Sequence, residues 1–461
     1  MSDVQDMPGR PPKPARAPRS LPKRRTNQWR NWSGHVSERS QLTAGPKSET
    51  AVRSLIIGAA GSGLQVKSVG AGHSFNDIAS TEGLRMHLDD YRGLVSVNPE
   101  TQVATFRAGT RLRELPALLR PHGLALANQG DVDQQSIAGA ISTGTHGTGL
   151  AFGGLASMVR SLRMVLTSGE VVYCDERFHT DLFEFGRIGL GALGVIVEVG
   201  IQCVPAFHLE ARGTAEPVDV VFETFARRAR ENDHVEFFWF PHADQAYVKT
   251  NRRIPADEAP TGMPAQQRLS KFVDGELMQN WAHGLVANLG SVAPRIVPSV
   301  NQVSPSLMGL RQYTDEAHQV FVSSRKVRFN EMEYAIPFED AAEVMREIRR
   351  VIDAHDWRIS FPLEVRAAAA DEVPLSTAYG RESAYIAVHR FVRESYFEYF
   401  GAVEEVLQAA GGRPHWGKLH TMRARDFQRV YPRFDEFVAL RDRVDPDRVF
   451  GNHYLERVLG H

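Results

Sequence analysis

The stretch VGAGHSFN, residues 69–76, decides how the rest of the chain is read. It follows a β-prone run, QVKSVG, and its glycine turn holds up one histidine before breaking into an aromatic and an amide. Gly70 and Gly72 flank Ala71 like the opening of a dinucleotide fingerprint, but the third glycine position falls on Phe75, which argues against a Rossmann site for NAD. A backbone free of side chains can still curl so that successive N–H groups point at a diphosphate. A second run, SIAGAISTGTHGTGLAFGG at 136–154, offers the same chemistry, with hydroxyls at Ser142, Thr143, Thr145 and Thr148 and an imidazole at His146. Two such runs suit one long cofactor, although either alone can serve merely as a tight turn.

Outward from this loop the chain alternates. Upstream, Val52, Leu55 and Ile56 fall at helical spacing. Downstream, LVSVN, QVATFRAG, a helix through LRELPALLRPHG, a hairpin turning at Ser168-Gly169 and LGALGVIVEVGIQCVP complete an α+β unit over 45–205. Beyond 206 glycines thin out. VEFFWFPH (235–242) and VRFNEMEYAIP (327–337) alternate like antiparallel strands, while Val344, Ile348, Val351 and Ile352 mark one helix and Phe400, Val403 and Leu407 another. Strand-and-helix pairs recur there, which reads as a second domain. The polar stretch 252–312 reads as long loops with a helix or two.

Composition bounds the function. The 461 residues are 42% apolar and 24% charged, and 54 basic against 55 acidic side chains leave a net charge of −1, with no electrostatic case for nucleic acid. Residues 1–25 differ: seven Lys or Arg, two Asp and six Pro without apolar periodicity read as a disordered basic arm. Its PKRR is followed by no apolar run that would complete an export signal, so a cytoplasmic protein is expected. No stretch approaches the ~18 consecutive apolar residues of a membrane span. Cys174 and Cys203 lack any disulfide or metal framework and read as small buried residues.

Three places could carry chemistry. Glu364 and Arg366 in PLEVR stand two apart on a strand and leave the same face. Either they form an ion pair across a half-exposed sheet, or they roof a pocket. Lys418 follows a Trp-Gly pair in RPHWGKLH, where the backbone can approach something flat. His146, His415 and His420 have no second ligand or carboxylate at metal spacing, so no metal is expected.

VGAGHSFNDIASTEG, GDVDQQSIAGAISTGTHGTG, LGALGVIVEV, LEVR, STAYGRES and RPHWGKLH together resemble the aldonolactone oxidoreductases of the vanillyl-alcohol-oxidase flavoprotein superfamily, from NWSGH (31–35) to YLERVLG (454–460). The resemblance implies an α+β fold: a two-subdomain PCMH-type FAD-binding domain over 26–205, an α+β substrate cap over 206–415, and a segment over 416–461 that returns to the flavin. It implies FAD contacts at Val69, Gly70, Ala71, Gly72, His73, Ser74 and Phe75, at Ser136, Gly139, Ser142, Gly144, Thr145, His146 and Gly147, and at Ile196. A histidine placed like His73 carries the bond to the flavin 8α carbon in that family; a plain hydrogen-bonding role is the alternative. Glu364 and Arg366 match the family's pair facing the flavin, Lys418 matches a lysine of the active-site wall, and His389 sits on a neighbouring strand within reach of a substrate hydroxyl or serves structure alone.

The implied reaction is oxidation of a sugar 1,4-lactone (L-gulono-, L-galactono- or D-arabinono-) at its C2 hydroxyl by hydride transfer to flavin N5, giving an ascorbate-type product. An alditol oxidase acting on xylitol-like polyols and a silent flavin- or sugar-binding module are the competing readings. The resemblance leaves the electron acceptor open between O₂ and cytochrome c, and it leaves room for peripheral membrane association.

Overall fold

A computed structural model describes residues 28–260, 262, 264, 267, 293–323 and 327–461; the basic arm at 1–25 lies outside the described residues. Strand β1 (Leu42–Ala44) leads into helix α1 (Glu49–Ala60), which starts where Ser48 accepts from the Ala51 N–H and buries Val52, Ile56 and Ala59. The chain returns as β2 (Val66–Val69) and β3 (Leu84–His87), and the three strands form a parallel sheet in the order β1-β3-β2. Parallel pairing here follows from α1 acting as the crossover.

Five antiparallel strands make the second layer: β4 (Leu94–Asn98), β5 (Val103–Arg107), β6 (Val159–Val165), β7 (Val171–Asp175) and β8 (Val195–Gln202), in the order β7-β6-β8-β5-β4. The hairpin expected around Ser168-Gly169 is β6–β7. The expected helix from Leu112 runs to His122 and stops at Gly123 (φ +66°), α-helical over Leu115–Leu119 and 3₁₀ over Leu112–Glu114 and Arg120–His122. Pro116 and Pro121 lack the N–H that a continuous helix needs at those positions. Helix α2 (Ile137–Ser142) packs on β8, the central strand of this sheet, and opens the second glycine run.

The rest of the chain builds one antiparallel sheet with eight strands among the described residues. They are β9 (Phe207–Pro217), β10 (His234–Trp239), β11 (Gln245–Pro255), β12 (Arg311–Glu316), β13 (Phe329–Pro337), β14 (Leu363–Ala368), β15 (Ser383–Phe391) and β16 (Arg413–Pro414). Their order is β12-β9-β11-β10-β14-β15-β13-β16. Helices α3 (Val218–Glu231), α4 (Ala341–Ala354) and α5 (Phe397–Ala409) cover one face. On α4 the side chains of Val344, Ile348 and Ile352 point inward, and each such burial contributes about 1.5–3 kcal/mol. Within the polar stretch 252–312, β11 runs to Pro255 and a helix spans Val297–Leu307, while 268–292 lies outside the described residues.

The glycine-rich loop and the large sheet are joined by backbone. Between Val235 and Ala367, where β10 and β14 diverge, Thr148 donates its hydroxyl to the Val235 carbonyl at 2.5 Å and accepts from the Ala367 N–H at 3.2 Å. Gly149 N–H donates to the Ala367 carbonyl at 2.7 Å and Ala369 N–H to the Phe152 carbonyl at 3.0 Å. The C-terminal segment closes back in the same way: Asn452 donates to the carbonyls of Asp77, Ile78 and Ser80. No helix among the described residues is long and apolar enough to cross a membrane.

Candidate active site

Strand β2 delivers the chain to Gly70, and the two glycine runs meet there. A Cβ on Gly70 would lie 2.5 Å from Ser136 Oγ, and one on Gly139 would lie 3.0 Å from the same atom. Ser136 Oγ itself accepts from the Gly139 N–H, capping the helix of the second run where it packs on Gly70. Gly72 has φ +73°, with the Trp29 ring 3.1 Å from where its Cβ would stand.

The runs wall a cleft of about 1010 Å³ lined by residues 69–74, Ser136, Gly139, Ser142 and Ile196, together with Lys67 and Phe450. A second cavity of about 800 Å³ holds Phe75, Thr145, His146, Glu364, Arg366, His389 and Lys418. The two share His73, Ser74, Gln135 and Thr143, so they form one trench. One end is bare backbone and the other is charged. Those walls fit a dinucleotide cofactor: one end is lined by glycines and small residues, where Gly70 and Gly139 pack so closely on Ser136 Oγ that neither has room for a Cβ. Of the residues expected to contact the cofactor, Gly144 lines neither cavity and Gly147 lines a neighbouring one with Thr148.

His73 stands at the junction, stacked on Trp32 with ring centroids 5.5 Å apart. Burial, with the positive charges of Lys418 and Arg111, pushes its pKa down to about 4. Its imidazole is therefore neutral at ordinary pH, with a lone pair to offer.

The charged end resolves the two readings of Glu364 and Arg366 in favour of both. They are only 6% and 8% exposed, not half-exposed, and they form an ion pair that is itself a wall of the cavity. Arg366 also reaches Glu236 (Nε to Oε2, 3.1 Å) and Asp131 (3.5 Å). Burial opposes its charge, but the carboxylates of Glu364, Asp131 and Glu236 outweigh that and keep the guanidinium firmly protonated.

Lys418 is placed by a clamp between the late HWGK turn and the opening loop. Phe75 N–H donates to the Gly417 carbonyl at 2.7 Å, and Asn76 Nδ2 donates to the carbonyls of Trp416 and Lys418, both at 2.8 Å. Lys418 Nζ lies 2.5 Å from Glu331 Oε1, 3.9 Å from Glu333 Oε2 and 5.0 Å above the Phe75 ring. Burial works against its charge, and Glu331 and Glu333 more than compensate, raising the pKa.

His389 is on β15, opposite Glu331 in the sheet register. Its Nδ1 meets the Pro362 carbonyl at 2.9 Å and so carries the proton, which leaves Nε2 toward the cavity, 3.7 Å from Glu331 Oε1.

Glu331 and Glu333 were not among the expected residues, yet they hold the charged end together. The signal was present in NEMEY: two acids two apart in an otherwise apolar strand, the same pattern that marks Glu364 and Arg366. The expectation that no carboxylate approaches His146 and His415 also needs correction. Glu333 joins them, with one ligand atom from each within 4.8 Å of the others. Residues from three distant segments form this group, which spacing along the chain does not reveal.

The sequence and the fold resemble those of known proteins. Residues 199–458 match the D-arabinono-1,4-lactone oxidase family, and residues 40–175 match the FAD binding domain family. An L-gulono-1,4-lactone dehydrogenase of Mycobacterium tuberculosis is 41% identical over 94% of this chain and 99% of its own. The chain belongs to the D-arabinono-1,4-lactone oxidase family. L-gulonolactone oxidase of Bos taurus is 31% identical over 94% of this chain and 98% of its own. A crystal structure of cholesterol oxidase from B. sterolicum superposes with a TM-score of 0.80 over 97% of this chain and 99% of that one. At 17% identity that likeness concerns the fold alone. Membership of the lactone oxidase family makes the chain an FAD-containing oxidoreductase, and the expected flavoprotein fold of mixed helix and sheet is the one observed.

Proposed function

We propose that this member of the family oxidises a sugar 1,4-lactone at its C2 hydroxyl. The observation that carries the reading is the continuity of the trench: the glycine cradle runs directly into a cavity where Glu364, Arg366, His389 and Lys418 converge. FAD, when bound along it, supplies the two-electron acceptor. Arg366 is a planar, permanently charged fork suited to the lactone's ring and carbonyl oxygens, and Glu364 orients a neighbouring hydroxyl. His389 takes the hydroxyl proton at Nε2, because its Nδ1 proton is already committed to Pro362. Lys418 places a positive charge on the cavity wall, where negative charge gathers during oxidation. The neutral ring of His73 suits a covalent bond to the flavin's 8α position. The 2-keto-lactone product enolises unaided, so the residues need support only the oxidation.

A single preparation tests this. Purified protein is expected to be yellow and to keep its colour in the acid-precipitated pellet; colour in the supernatant overturns the His73 bond. L-gulono-, L-galactono- or D-arabinono-1,4-lactone is expected to bleach the anaerobic flavin far faster than xylitol. Faster bleaching by xylitol favours a polyol oxidase, and none by any of them rejects the lactone reading. Admitting air or cytochrome c then identifies the acceptor.

A further inference from the structure

Residues 29–32 lie across the VGAGHSFN loop as a strap, leaving a hairpin that pairs Gln28–Arg30 with Ser37–Arg39. The Trp32 N–H donates to the Gly72 carbonyl at 2.7 Å. Asn31, only 4% exposed, donates through Nδ2 to the Ser74 carbonyl at 3.0 Å and to that of Phe75 at 3.4 Å. Its Oδ1 accepts from the Val36 N–H at 3.0 Å, so the amide is engaged at both ends. The Trp29 ring lies 3.1 Å from where a Cβ on Gly72 would stand, and the Arg85 guanidinium is 5.1 Å from that ring. These contacts grip the loop backbone on both sides of His73, but they do not hold its imidazole.

The imidazole is met by Trp32. The indole stacks on His73 with centroids 5.5 Å apart and planes 20° from parallel. Phe329 and Phe75 brace the indole edgewise, at 5.2 Å and 70° and at 6.1 Å and 77°. Trp32 lines the same cavity as His73, Glu364 and Lys418. An imidazole on two free torsions presents its nitrogens in several directions. Two phenyl rings packed on the indole leave it little room to turn, and the stacked face passes that restriction to His73.

We infer that Trp32 is a positioning residue for His73: it fixes the plane of the imidazole, so that one ring nitrogen keeps a single direction into the trench. The clamp stands on contacts within this chain; its use rests on the proposed bond to the flavin. Forming that bond replaces a C–H of the 8α methyl and the imidazole N–H by a C–N bond. Two protons leave, and two electrons pass to the flavin, from which the electron acceptor, dioxygen or cytochrome c, removes them. Such a step depends on alignment, and a misplacement of about 1 Å costs about 10²-fold in rate.

The test samples wild type, Trp32→Leu and Trp32→Phe at intervals during expression. Total bound flavin, its division between acid-precipitated pellet and supernatant, and the melting temperature are measured each time. Trp32→Leu is expected to hold as much flavin as wild type but to move it into the pellet about 10²-fold more slowly. Trp32→Phe, which restores a flat face, is expected to recover most of that rate. A Leu variant that fixes flavin as fast as wild type overturns the inference. So does pellet flavin that falls only in proportion to total flavin and melting temperature, since that reports support of the fold alone. A wild type whose flavin stays in the supernatant removes the His73 bond instead. The His73 Cε1–H resonance, assigned by its loss in His73→Gln, then decides the clamp. It is expected to shift in Trp32→Leu as the indole ring current is lost, and an unmoved resonance overturns the inference.

Discussion

Replacing Lys418 by Met removes the ammonium while keeping most of the side chain's length. Glu331, 7% exposed and 2.5 Å from Nζ, then loses its counter-charge inside the trench. Breaking a buried pair from one side costs roughly 3–5 kcal/mol. The Lys418 side chain is 20% exposed, so water can reach the broken pair and the lower end, about 3 kcal/mol, is expected. Its effect on the chemistry is separate. Loss of one preorganised group at a site of developing charge slows reactions by about 10²–10³-fold. Adding Glu331→Gln to Lys418→Met removes the orphaned carboxylate, so the double variant is expected to regain at least half the lost stability and almost none of the rate. Chemical denaturation measures the first quantity, and anaerobic stopped-flow reduction of the flavin by lactone measures the second. Reduction slowed by less than about fivefold, or slowed only in proportion to lost flavin, would show that Lys418 does no more than support the fold.

Arg366→Lys keeps the charge but loses the fork that reaches Glu364, Glu236 and Asp131 at once; KM for the lactone is expected to rise more than tenfold with the flavin spectrum unchanged, and an unaltered KM refutes the substrate role. Burial pushes the thiols of Cys174 and Cys203 up to about 12 and about 11, so neither is expected to react with a thiol reagent at pH 8 until the protein is denatured. The His234 ring is pushed down to about 4, chiefly by burial. Between pH 6.5 and 4 the unfolded chain therefore binds the extra proton and the native one does not, so stability is full above that window and falls as pH drops through it, by about 3 kcal/mol at the lower limit. Melting curves of wild type and His234→Gln are expected to converge as the pH is lowered, and parallel curves would refute the assignment.

Much of the fold could be read because helix and strand periods are strong in this chain. Val52 and Ile56, or Ile348 and Ile352, fall on buried helical faces, and NEMEYAIP and AYIAVHRF alternate as strands. The helix at 112–122 was legible from its leucines and from Gly123 after it, whereas its 3₁₀ ends left no mark in that spacing. At the site, Glu364, Arg366, His389 and Lys418 stood out as charged or imidazole groups in apolar contexts, and the structure brings them to one cavity. Glu331 and Glu333 carried the same mark. What no local pattern could reveal was pairing across the chain: Asp131 and Glu236 with Arg366, or Glu333 with His146, depends on which strands and loops become neighbours in space.

The fork where Thr148 enters between Val235 and Ala367 bears on how substrate arrives. A chain stitched on both sides into the middle of a sheet cannot pivot as a hinged lid without unzipping that seam. The loop that carries Thr145 and His146 into the cavity is therefore a fixed wall of it. What fits against that wall is decided by the side chains it presents, so single substitutions there can shift fit without disturbing the seam beneath.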